Sequence, residues 1–402
     1  MRKPSGASAP ERQALLVAPE APYPPVGGGP LRTASLVEYL ARRYVLDVIA
    51  FREPGAPDPR GLFPSGTVRA VHVIDLPFHS ARPAARIARN LARFLRGRAP
   101  LNDRFGGFGA AVERALADRR YDLALVEHFW CAPYHAQIAR HAARTVLDLH
   151  NIESVYYARM GAAARGPARV AFRRYAAAAR VLERRWIPRF TSVLVASEPD
   201  REVAAQIAPG ARVCVYPNAI PFVSQPDVPE QDAVVFSGNL GYPPNIDAVR
   251  FFRRDVWPRL RDSRPGLRWR ILGKNPQGVA RFVEGDPRIE LTGAVTNAVE
   301  ELARARVAVV PVLAGSGTRM KILEAWAAGR AVVSTPLGAE GLPARSGEHL
   351  ILAPADGSFA PAILRLFDDP AERNRIGAAG RALYTERFTW ERAWDILAGF
   401  DL

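Results

Sequence analysis

The chain has 402 residues, 48% apolar and 24% charged, a globular composition too long for one ordinary core and suited to two. No apolar run approaches the ~20 residues of a membrane-spanning helix, and because the polar first residues pass directly into a strand-like 14–18, no secretory signal is expected. Cys131 and Cys214 are the two cysteines, far apart and outside any metal-ligand spacing, which gives no support to a disulfide framework or a zinc site and makes a reducing cytoplasm the expected location. The net charge of +15 is uneven: residues 1–220 hold 32 of the Lys and Arg residues against 18 of the Asp and Glu, so an anionic partner is expected to meet the N-terminal half.

From residue 14 onward, short β-rich runs alternate with helical stretches, the pattern of a doubly wound α/β domain. Strands are expected at 14–18, 45–51, 68–74, 121–126, 145–149, 191–196 and 212–216, with helices at 31–43, 83–97, 109–119, 133–143 and 168–187. The proline-rich, polar stretch 217–232 reads as an interdomain connection. The alternation then restarts, with strands at 233–237, 268–272, 289–291, 307–312 and 331–334 and helices at 245–260 and 318–328. The expectation is an N-terminal domain over 1–220 and a C-terminal domain over 221–384, with a final helix at about 385–402 packing back on the first.

In open α/β sheets, ligands bind beyond the carboxyl ends of the strands. The strongest such place is the run from Val309 to Gly329, where a buried strand enters Gly315-Ser316-Gly317-Thr318 and then a helix. Small residues there let backbone N–H groups and the helix dipole approach a phosphate. Arg319 and Lys321 add cations at a helix start, where they cost stability unless an anion offsets them. Lys321 and Glu324, three residues apart, share one helical face; by spacing alone they are a surface ion pair, but the flanking Gly-Ser-Gly-Thr and Ala-Gly-Arg-Ala-Val-Val favour a site.

This segment resembles the donor-binding signature of glycosyltransferase family 4, in the branch reading G-x-G-x-[RK]-x-K-x-L-E-A-x-A-x-G-[RK]-x-V-V. The resemblance implies an α/β GT-B fold, two Rossmann-like domains facing each other across a cleft. It also implies transfer of a sugar from a nucleotide-sugar donor to a glycan or lipid-linked acceptor, with retention of configuration and no cofactor beyond the donor itself. Glu324 matches the family's ribose-binding glutamate. The second glutamate that many members carry eight residues earlier is replaced here by Ser316, so sugar-ring contacts do not carry over.

Further stretches resemble the family's other strand-end loops. Gly238-Asn239 follows the first strand of the C-terminal domain, Gly273-Lys274 follows the next, and Val295 lies in the loop that borders the nucleobase. Lys274 reads equally as a phosphate ligand or a solvated cation. In the N-terminal domain Gly27-Gly28-Gly29 follows the first strand, either as a flexible turn or as the glycine loop that touches phosphate and acceptor. His150 stands just past a buried strand, where family enzymes often carry a histidine near the reacting carbon, and Glu127 and His128 end the neighbouring strand.

Glycosyl transfer builds negative charge on the departing diphosphate. Arg319 and Lys321 are expected to meet it, with His150 the third residue at the reaction centre. No Asp-x-Asp on a strand-end loop offers to hold a divalent ion, so no metal is expected. Residues 82–98 place Arg82, Arg86, Arg89, Arg93 and Arg96 beside Ile87, Leu91, Phe94 and Leu95, which suits either a solvated amphipathic helix or an anionic membrane surface and a peripheral location at its inner face. Three rival readings stand beside transfer: a nucleotide-sugar epimerase of the same fold, a non-catalytic donor-binding relative suggested by Ser316, and a basic nucleic-acid-binding protein. Nucleic acid is not the expected partner, because the charge is not interleaved with the aromatic or glycine elements of a known reader.

Overall fold

The computed structural model describes residues 12–25, 27–314 and 320–402. The chain divides into two compact units, residues 1–215 and 216–402. Residues 385–402, set apart from the C-terminal domain in the sequence reading, count with the second unit.

The first unit is built on a seven-stranded sheet: β1 (Gln13–Ala18), β2 (Val45–Arg52), β3 (Ala70–Asp75), β4 (Tyr121–Glu127), β5 (Ala142–Leu149), β6 (Ser192–Val195) and β7 (Val213–Val215). Every pairing is parallel, in the order β3-β2-β1-β4-β5-β6-β7. A parallel sheet covered on both faces needs nearly continuous apolar strands. The run from Ala14 to Ala18 satisfies this and is fully buried. The one charge inside β2, Asp47, is buried but surrounded: Arg69, Arg119 and Tyr121 all donate to its carboxylate. Strand order reverses between β1 and β4, successive strands being added first on one side and then on the other, so the loops leaving these two strands diverge and open a crevice at the carboxyl edge.

The second unit repeats the plan with β8 (Gln231–Ser237), β9 (Arg268–Leu272), β10 (Ile289–Gly293), β11 (Ala305–Val310), β12 (Ala331–Ser334) and β13 (Ile351–Leu352). Their order is β10-β9-β8-β11-β12-β13, again wholly parallel, with its switch point between β8 and β11. Trp257, Trp269 and Trp326 fill its core. The connection read as a linker is held to the C-terminal segment of the same unit. Tyr384 donates to the Pro221 carbonyl and accepts from the Val223 N–H, and Ile220 bridges Thr389.

Two helical expectations need correcting. Residues 133–143 are not one helix: a 3₁₀ turn (Phe129–Tyr134) with Pro133 inside it runs into a single helical turn (His135–Ile138), and β5 begins at Ala142. The helix expected at 245–260 is Pro243–Phe251, a π-helical turn (Phe252–Val256) and Trp257–Ser263, the irregular turn standing just before Pro258, which lacks an N–H. The final helix expected at about 385–402 is Trp390–Gly399, while helices at Glu153–Ala163, Glu198–Ile207, Phe359–Asp368 and Pro370–Arg387 were absent from that reading.

Close approach between the β8 and β9 loops needs both Gly273 and Gly278. Gly273 has φ +143, and a Cβ there would lie 1.7 Å from the Gly238 carbonyl oxygen. Gly273→Ala must therefore push the two loops apart, and it is expected to cost the second unit about 2–3 kcal/mol. Thermal or denaturant unfolding of the variant measures this; unchanged stability would mean that the loops move apart freely.

Candidate active site

The carboxyl edge of the second sheet gathers the candidate donor-binding groups. Lys321 and Glu324 lie on the helix Met320–Ala327. The Lys321 ammonium donates to Asn245 Oδ1 at 3.2 Å and stands 5.5 Å from the Phe236 ring centroid, a cation–π distance. Asn245 is buried, and its amide also donates to the Asn239 carbonyl at 2.8 Å, so it fastens the β8 loop to Lys321. A Cβ on Gly238 would come within 3.2 Å of the Lys321 ammonium; the lysine is parked directly over the Gly238 backbone.

Glu324 receives the Ser237 hydroxyl at a long 3.4 Å. Burial lifts its carboxyl above the ordinary range, while the Lys321 charge and the Ser237 hydroxyl work in the other direction. The Asn239 side chain, by contrast, closes its own loop: its Oδ1 accepts from Gly241 N and from Asn275 Nδ2. Lys274 is exposed, and its carbonyl accepts from Leu240 N. Val295 is half-buried in the segment after β10. Gly315, Ser316, Gly317, Thr318 and Arg319 lie outside the described residues.

The first sheet carries a second polar cluster at its own switch point. Gly27, with φ +99, turns the chain into the helix Gly28–Ala41, which Gly28 and Gly29 open. A Cβ on Gly29 would sit 4.0 Å from both Glu20 Oε1 and His150 Nδ1, so the glycine loop and the histidine expected from sequence are brought together. Arg32, from the second turn of that helix, forms a two-point ion pair with Asp148 at the end of β5, at 2.7 and 2.5 Å. His150 Nε2 lies 2.5 Å from Glu127 Oε2 and 3.2 Å from Asp148 Oδ2. Thr33 donates to the same Glu127 oxygen at 3.0 Å, and Glu127 Oε1 is buried with no hydrogen-bond partner.

These contacts decide protonation. Burial alone would strip His150 of its proton, but Glu127 and Asp148 outweigh it and raise its pKa to about 9. Burial pushes the Glu127 carboxyl up as well, with Asp148 adding to the push and His150 and Arg32 opposing it. Asp148 stays ionised: Arg32 and His150 overcome the burial that would otherwise protonate it. With its pKa raised, His150 favours the charged form at neutral pH, its Nε2 turned to the Glu127 and Asp148 carboxyl groups and its Nδ1 side toward Gly29.

The neighbouring His128 has φ +60, unusual for a residue with a Cβ, and its ring stacks on Trp130 at 4.2 Å and lies against His150 at 3.6 Å. Burial and the His150 charge hold its pKa well below the ordinary histidine value. Glu127, His128 and His150 bring three metal-ligating atoms within 4.8 Å of one another. A metal ion there would have to displace the proton that His150 holds between two carboxylates.

Sequence reading singled out His150, Lys321 and Glu324 and ranked Glu127 and His128 lower. Arg32, Thr33, Asp148 and Asn245 escaped it as site residues. The Asp-x-His at the end of β5 was a usable signal, since an acid inside an apolar strand must find a cation. Nothing local marked Asn245 as the partner of a lysine 76 positions away.

The fold is GT-B: two parallel-sheet α/β Rossmann-like domains in one chain. Residues 231–369, all within the second unit, match the family described as "Glycosyl transferases group 1". A 44.6 kDa protein in the cps region of Klebsiella pneumoniae is 27% identical over 139 residues, 33% of this chain and 36% of that protein, so the match spans about a third of this relative's length. Sucrose-phosphate synthase from Thermosynechococcus elongatus superposes with a TM-score of 0.72 at 18% identity, over 97% of this chain and 98% of that one. HepE from Anabaena, in complex with UDP and glucose, gives 0.66 at 16% identity over 97% and 99%. TarM from S. aureus, in complex with Fondaparinux, alpha-GlcNAc-glycerol and UDP, gives 0.67 at 11% identity over 97% and 99%.

Because the folded pKa of His150 is raised from 6.5 to about 9, the stability contributed by its ion pairs is fully present below about pH 6.5 and is lost as pH rises through about 9. Glu127→Gln removes one of the two carboxylates, and the His150 titration midpoint followed by NMR should fall by about 1–3 pH units. A wild-type midpoint below 7 would contradict the charged-histidine assignment.

Proposed function

We propose that the protein is a glycosyltransferase of the family 4 type, moving a hexose from a nucleotide-sugar donor to a glycan or lipid-linked acceptor during polysaccharide assembly. The observation that carries this reading is the Lys321–Glu324 pair, fastened over the Gly238 backbone at the switch point of a group 1 glycosyltransferase domain. Lys321 meets the donor diphosphate and offsets the charge that grows as the anomeric C–O bond breaks, with the bonding electrons leaving on the phosphate oxygen. Arg319 is assigned the same task from its place in the motif. Glu324 takes the ribose diol, a charge-assisted hydrogen bond.

His150, held as an imidazolium, is assigned hydrogen-bond donation to the transferred sugar or its phosphate. The acceptor replaces the nucleotide with retention of configuration, as the family resemblance implies. UDP in the HepE and TarM structures makes UDP-sugars the first donors to test. A lipid-linked acceptor would be met at the inner face of a membrane, to which the protein attaches peripherally; among the described residues no helix is long and apolar enough to cross one.

Glu324→Gln should leave the fold intact and weaken donor binding by about 1.5–3 kcal/mol in calorimetry. Unchanged affinity on a folded variant would remove Glu324 from the donor site. Since cationic side chains are assigned the leaving group, turnover should survive excess EDTA while Arg319→Ala depresses it strongly. An absolute requirement for added Mg²⁺ or Mn²⁺ would reverse that assignment.

A further inference from the structure

The helix Pro83–Arg96 buries Arg93, half-buries Phe94 and turns Ile87, Leu91 and Leu95 outward. Arg93 is 8% exposed and donates to Asp103 at 2.9 Å, and Arg89 donates to the Ser80 carbonyl. Arg174 of the long helix Gly166–Trp186 donates to the carbonyls of Phe94 and Leu95, fixing the C-terminal end just before Gly97 closes it in the left-handed region. On the other side, Ile87, Leu91 and Leu95 are 66, 56 and 65% exposed. Their i, i+4, i+8 spacing makes them one row, and Ala84 and Ala88 beside them are exposed too. This is the reverse of a water-facing amphipathic helix, which buries leucines and solvates arginines.

A row of exposed aliphatic side chains on a helix braced at several points marks a contact surface. Its surroundings choose the partner. Arg82, Arg86, Arg96 and Arg98 are exposed around the row, and no acidic residue stands between Asp75 and Asp103. Aliphatic side chains rimmed by exposed cations complement a lipid interface with anionic headgroups.

We infer that this helix is a pre-built insertion element: it lies in the plane of an anionic leaflet with Ile87, Leu91 and Leu95 entering the acyl boundary and Arg82, Arg86 and Arg98 on the headgroups. Arg89 and Arg93 take no part in lipid binding; they hold the helix to the domain with its apolar row facing out. The inference deepens the peripheral-membrane part of the proposed function and rests on that part alone, since nothing in it depends on the donor.

Sedimentation with vesicles of phosphatidylcholine, alone or mixed with phosphatidylglycerol, tests it on the full chain. Wild type should bind the mixed vesicles. The triple variant Ile87→Ser, Leu91→Ser, Leu95→Ser, at exposed positions that leave the core untouched, should bind them at least about tenfold more weakly, as should Arg82→Gln, Arg86→Gln, Arg98→Gln. Leu91→Cys carries a polarity-sensitive dye selectively, because Cys131 and Cys214 are buried, and its emission should shift to the blue on the mixed vesicles. Wild-type binding that the serine variant retains, or a dye that stays in water, would overturn the insertion. So would a wild-type dimer that the serine variant turns into a monomer without either binding vesicles; the row would then face a second copy. Donor binding measured on the same samples separates the two claims: vesicle binding without donor affinity fails the transferase reading alone, and donor binding without vesicle binding fails the insertion alone.

Discussion

Everything polar at the two candidate sites follows from the sheets being parallel throughout. A parallel strand is buried on both faces and has no room for functional side chains along its length, so chemistry moves to the carboxyl edge, where all strands end together. Both sheets share one strand order and thus one kind of opening: between β1 and β4 in the first unit, between β8 and β11 in the second. Gly27–Gly29, Glu127 and His150 collect at the first opening and its neighbouring strand end. Gly238, Asn245 and the helix bearing Lys321 and Glu324 border the second.

The two edges balance charge differently. In the first unit, Arg32 and His150 face Asp148 and Glu127 inside the protein, and the pairing is dense enough to keep the imidazole protonated. Removing any member leaves a buried charge uncompensated, which is costly. The arrangement also orients: His150 gives Nε2 to carboxylates, so Nδ1 is the nitrogen on the Gly29 side. In the second unit Lys321 meets the Asn245 amide and the Phe236 ring, and its charge also acts on the buried Glu324 carboxyl.

The helix Pro83–Arg96 shows the same economy away from the sheets. Its arginines form the inward ion pair and hydrogen bonds, and the aliphatic row that would ordinarily provide attachment is left to the outside. An arginine stripe counted from sequence therefore overstates the charge free to act on a surface, since Arg93 already neutralises Asp103.

Much of the architecture was legible in the sequence because parallel strands announce themselves as short, mostly apolar runs, as at 14–18, 45–51, 121–126 and 233–237. The glycine turns and the Lys-x-x-Glu helix were legible for a similar reason, each being a local rule about backbone or periodicity. The stretch after Glu127 misled, since its helical apolar spacing is cut by Pro133 and yields to the start of β5. Only the tertiary structure decided what happens between distant residues: that Glu127 and Asp148 trap a proton on His150, that Asn245 steadies Lys321, and which face of the helix Pro83–Arg96 is buried. Periodicity fixes which side chains share a face, but the direction of that face depends on partners such as Asp103 and Arg174, whose positions no local pattern contains.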